Sequence, residues 1–71
     1  MRRSNIKRLE WIARGLRIQS ERLSKVIEVD GDNMQGKDSY YLGDAYKDLV
    51  YMAGAIERIA RVAREDADDE V

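Results

Sequence analysis

Residues 6–27, "IKRLEWIARGLRIQSERLSKVI", decide the fold. Ile6, Leu9, Ala13, Leu16, Ser20, Leu23 and Ile27 follow one another in steps of three and four. That repeat places all seven on one stripe of an α-helix. Ser20 is the only polar member, and its small hydroxyl can bond to a carbonyl one turn back. Residues 42–63, "LGDAYKDLVYMAGAIERIARVA", repeat the pattern. There the stripe is Leu42, Ala45, Leu49, Met52, Ile56, Ile59 and Ala63. The chain thus reads as all-α: an antiparallel hairpin of two helices, at about residues 4–29 and 39–66.

Between them, "EVDGDNMQGKDSYY" (residues 28–41) supplies the bend, with the turn at about 30–38. Asp30, Asp32, Asn33 and Asp38 could suggest a cation loop. A calcium loop needs oxygen donors at fixed offsets, glycine sixth and a bidentate glutamate twelfth. Counted from Asp30, the fifth, sixth and twelfth places hold Met34, Gln35 and Tyr41. Glycine and aspartate are also what turns use for backbone reasons, so a bend is the expected reading. Ser4 is the expected cap of the first helix and Gly31 its left-handed end; Asp38 or Ser39 would cap the second. Tyr40, Tyr41 and Tyr46 would close the end of the bundle rather than bind a ligand. The acidic tail, about 67–71, puts carboxylates where the helix dipole favours cations, which predicts fraying.

Composition excludes much chemistry. The chain has 71 residues, enough for one small domain, and lacks cysteine, histidine and proline. Thiolate metal sites and disulfides are ruled out, together with the commonest general base at neutral pH. No serine has a histidine to activate it. Asp44 and Asp48 stand one turn apart without the Glu-x-x-His partner a carboxylate metal centre uses. No glycine-rich phosphate loop precedes a helix. The residues therefore predict a non-enzyme, with no cofactor, metal or small-molecule substrate. No apolar run reaches membrane-spanning length, and the Met-Arg-Arg start lacks a signal-like apolar stretch, so the cytoplasm is the expected location.

Charge is divided along the chain although the net charge is −1. Residues 1–25 carry eight Lys or Arg against two Glu, whereas residues 26–71 carry five against twelve acids. On the first helix, Trp11 and Ile18 stand opposite the apolar stripe, among Lys7, Arg8, Arg14, Gly15 and Arg22. Trp and Arg are enriched among residues that dominate binding energy. The plainer alternative is that Trp11 folds down over Ile12 and the neighbouring helix, while the arginines serve solubility and pair with Glu10, Glu21 or acids of the other helix. The second helix has a weaker outward group: Val50, Tyr51, Gly54, Arg58 and Arg61. Gly54 reads either as a point of close approach or as a neutral surface residue.

Two helices paired along one line leave Ile12, Val26, Tyr46, Ala53, Ala60 and Val62 uncovered. Burial at ~25 cal/mol per Å² would struggle against ordering at ~1.5 kcal/mol per residue. A second copy, back to back, would make a four-helix bundle. This plan resembles that of the plasmid Repressor-of-primer proteins, helical hairpins with a short acidic tail that dimerise into four-helix bundles. Members of that family bind paired RNA loops on one helical face. The resemblance implies a possible RNA partner and assigns no residue a role.

Three functions fit. The first is a homodimeric regulator that inhibits or adapts a partner protein through the outer face of the first helix, as small phage and plasmid proteins do. The second is a nucleic-acid-binding dimer, with Lys7, Arg8, Arg14, Arg17, Arg22 and Lys25 on phosphates and Trp11 stacked on a base. A pI of about 5.4 argues against it. The third is an oligomerisation module of a larger assembly.

Overall fold

The computed structural model describes the backbone of residues 1–69 and side chains through Ala67. Helix α1 spans Arg3–Asp30 and helix α2 spans Asp38–Asp69, joined by a 3-10 turn at Gly31–Asn33. They lie antiparallel as a rod whose Cα atoms extend 55 × 14 × 13 Å. Among the described residues there is no strand. No helix among them is long and apolar enough to cross a membrane.

The ends differ from the sequence expectation. Helix α1 starts one residue earlier, with extended Arg2 as its cap and no side-chain cap bond. Ser4 therefore lies inside the helix. Gly31 is right-handed at φ −57°, and its N–H donates to the Ile27 carbonyl, so the turn continues the helix in a tighter winding. The left-handed residue is Gly36, at φ 57°. It reverses the chain just ahead of α2, where the Lys37 carbonyl accepts the Tyr41 N–H at 3.1 Å. Asp38 thus stands in the first turn of α2. Its charge suits the helix N-terminus. At the far end α2 continues through Asp69, beyond the end expected near residue 66. Glu70 and Val71 lie outside the described residues.

The contact between the helices is built on small side chains. Ile6, Ala13 and Ser20 are buried in α1, and Ala53 and Ala60 in α2. On each helix these residues recur every seven positions, the spacing of a continuous helical seam. The Ser20 hydroxyl donates to the Arg17 carbonyl at 2.7 Å, so its burial leaves no polar atom unpaired. On α1 this is the expected stripe. On α2 the contact is rotated by one residue. Ala53 and Ala60, expected to flank the seam, form its centre, whereas Met52 and Ile59 are 43% and 46% exposed. The physical reason is size: alanine against alanine and serine lets two backbones come close, which bulkier Met52 and Ile59 would prevent. Leu42, Ala45, Leu49, Ile56 and Ala63, with Leu9, Leu16, Leu23 and Ile27 opposite, are half-buried beside this line.

Within the single hairpin the tyrosines do not cover the turn end. Tyr40 and Tyr41 are exposed, and Tyr46 sits at the margin of exposure. The half-buried residues there are Gly31, Met34, Ser39 and Leu42.

Candidate interaction face

The two long edges of the contact are chemically different. Along one edge, four residues after each buried centre, stand Glu10 and Arg17 on α1 and Glu57 and Arg64 on α2. Arg17 donates from Nε to Glu57 Oε2 at 3.0 Å and from Nη2 to Oε1 at 2.6 Å. Arg64 donates from Nε to Glu10 Oε2 at 3.3 Å and from Nη2 to Oε1 at 2.6 Å. Both are two-pronged pairs between planar groups, a geometry that fixes register as well as attraction. The hydrogen bond and charge of Arg17 hold the Glu57 carboxyl below its ordinary range, and Glu57 raises the Arg17 guanidinium in turn.

Along the other edge, three residues after each centre, the side chains are apolar: Leu9, Leu16 and Leu23 on α1; Leu49, Ile56 and Ala63 on α2. Further out on that edge stand Ile12, Val26, Met52 and Ile59, 43–51% exposed. The hairpin therefore has a charge-sealed flank and an open apolar flank.

Trp11 is 72% exposed and Ile18 41% exposed, both pointing away from the contact. The alternative in which Trp11 is tucked over Ile12 does not occur. Trp11 belongs instead to the charge-sealed flank, where Lys7, Glu10, Trp11, Arg14 and Arg64 line a shallow groove of about 380 Å³. The α1 residues named from the sequence thus fall into two groups. Lys7, Trp11, Arg14 and Ile18 turn toward the sealed flank. Arg8, Gly15 and Arg22 lie one helical step around, toward the apolar flank, where Arg8 donates to the Asn5 side chain at 3.3 Å.

A second groove continues the sealed flank toward the turn, lined by Arg17, Val50, Tyr51, Gly54, Ala55 and Arg58. It gathers most of the outward group of α2 and adds Arg17, which the sequence did not place there. Interhelix partners 40 residues apart leave no local signal. A Cβ on Gly54 would meet only the Arg17 guanidinium, at 3.9 Å, so packing within the hairpin does not demand glycine there. Arg61 pairs loosely with Glu65 at 4.0 Å.

Among the described residues no group of three or more acidic side chains is placed to hold a metal ion. Set beside family models, curated proteins and solved structures, the chain matches none of them.

Proposed function

We propose that the chain is a small non-enzymatic interaction protein. Two hairpins pair through their apolar flanks into a four-helix bundle, and each presents Trp11 to a partner protein. Support for pairing comes from the thinness of the single contact. Among the described residues its buried apolar side chains are Ile6 and three alanines, while Ile12, Val26, Met52 and Ile59 remain in water on one side. A second copy covers that side and leaves Trp11, Ile18, Lys7 and Arg14 outward on both copies.

The observation that carries the partner reading is the exposed Trp11 above a groove with arginine on either side. A large aromatic with two rotatable angles, framed by guanidinium groups, is the usual centre of a protein-binding patch. Nucleic acid is the second reading, because Trp11, Tyr51 and five cations lining the two grooves share one flank. It is the weaker one. Arg17 and Arg64, on that flank, are each engaged by a glutamate and are less available to phosphate.

A pull-down from the native host separates these readings. Wild type is compared with a Trp11→Ala, Arg14→Ala double variant, with a nuclease-treated arm and a salt series. Capture that survives nuclease and moderate salt and is lost in the variant supports a protein partner. Capture lost with nuclease or falling steeply with salt supports nucleic acid. Identical capture by both chains removes Trp11 and Arg14 from the site.

A further inference from the structure

Pairing through the apolar flank leaves two ways to relate the copies by a twofold axis. If the axis runs along the rod, α1 lies over the partner copy's α2 and both turns sit at the same end. If it runs across the rod, α1 lies over the other α1, α2 over α2, and the turns sit at opposite ends. The edges of the flank distinguish them. On α1 the edge carries Arg8, Gly15 and Arg22; on α2 it carries Asp48 and Asp66, all four charges exposed.

The two interhelix ion pairs fix which residues are level. Arg17 meets Glu57 and Glu10 meets Arg64, so level positions sum to 74. Arg8 is then level with Asp66, Ile12 with Val62, and Gly15 with Ile59. An axis along the rod preserves these levels between copies. Arg8 of one copy then faces Asp66 of the other, and Ile12 enters the groove that Ile59, Val62, Ala63 and Asp66 line, with Arg58, Met1 and Ala67 at its borders. Gly15 comes opposite Ile59, which gives the glycine a reason the lone hairpin lacks, since a Cβ there would meet nothing within 4 Å. An axis across the middle of the rod, at the level of Leu16 and Arg58, brings Arg8 within about half a turn of Arg22 and Asp48 within about half a turn of Asp66, like against like. Charges at the edges of helical bundles set partner and orientation more than affinity.

We infer that the occupant of the apolar flank is a second copy placed with its turn at the same end, α1 over α2, aligned by Arg8 and Asp66. This rests on the dimer reading above. Two measurements test it. In sedimentation equilibrium, Arg8→Asp and Asp66→Arg each weaken the dimer about tenfold, the symmetric assembly containing two such pairs, and the double exchange restores it. Arg8 is exposed and its hydrogen bond is to Asn5 on its own helix, so its replacement leaves folding intact. Since the chain has no cysteine, an Ile12→Cys chain mixed with a Val62→Cys chain gives a disulfide-linked dimer on oxidation, and neither gives one alone. A wild type that sediments as a monomer overturns the pairing itself. A dimer that Arg8→Asp tightens, or that yields no mixed disulfide, overturns the orientation while leaving the pairing in place.

Discussion

Arg17 and Glu57, 40 residues apart in the chain, meet through two hydrogen bonds of 3.0 and 2.6 Å across the hairpin. Seven residues further along each helix, in opposite directions, Arg64 and Glu10 repeat the arrangement with donor and acceptor exchanged. Two such pairs at heptad spacing act as pins: sliding one helix by a turn would break both. Their half-exposed position limits their strength, so their main contribution is register.

The first prediction concerns acid. Arg17 holds the Glu57 carboxyl below its ordinary value of 4.5, so the folded state binds that proton less readily than the unfolded chain. The resulting stabilisation is present above the unfolded value and disappears as pH falls through the folded one. Thermal unfolding of wild type and Glu57→Gln should therefore differ at pH 7 and converge as pH falls through the depressed value of the folded Glu57 carboxyl. A gap that persists unchanged in acid would mean that the pair is not what separates them.

At the centre of the contact, shape should outweigh polarity. Ala53 is fully buried against α1. Ala53→Leu should lower stability by about 1–3 kcal/mol through overpacking, read from the denaturant midpoint. Ser20→Ala keeps the size and loses only a bond to its own helix, so its effect should stay within about 1 kcal/mol.

The two turn glycines should respond oppositely to alanine. Gly36→Ala forces a side chain into the left-handed region and should cost about 1–2 kcal/mol. Gly31 is right-handed, and a Cβ there meets Ile27 Cγ2 at an ordinary 3.5 Å. Gly31→Ala should be neutral or stabilise by up to about 1 kcal/mol. Melting curves of the pair decide this, and equal shifts would contradict the assigned backbone angles.

A charge on the apolar flank should be far more damaging than one opposite it. Leu16→Asp or Ile56→Asp places a carboxylate among half-buried leucines and isoleucines and should unfold the chain. Trp11→Ala, on the outward face, should leave helix content and sedimentation unchanged. Circular dichroism and ultracentrifugation on the three variants provide the comparison.

Much of this was readable in the residues, for particular reasons. The α1 stripe carries isoleucine, alanine, serine and leucine at positions with no competing apolar line, so its inward face followed directly, whereas the sequence left open whether Trp11 stands free or folds over Ile12. Helix α2 is apolar over a wider arc, with Met52, Ala53, Ile56, Ile59 and Ala60 all at heptad-compatible spacings. Periodicity alone cannot choose among lines one residue apart. Close packing chose the alanines, and it left Met52 and Ile59 on the open side. The grooves beside Trp11 and Tyr51 depend on Arg64 and Arg17 crossing between helices. That crossing is set by the register of the turn, where the left-handed residue is Gly36 and not Gly31.

One consequence of having pins along a single edge is practical. Making this rod behave as a self-sufficient unit would not require redesigning its whole surface. Recasting Ile12, Val26, Met52 and Ile59 as polar residues would remove the greasy side and leave the existing lock in place. The tryptophan side would be untouched, and a stand-alone scaffold would display it.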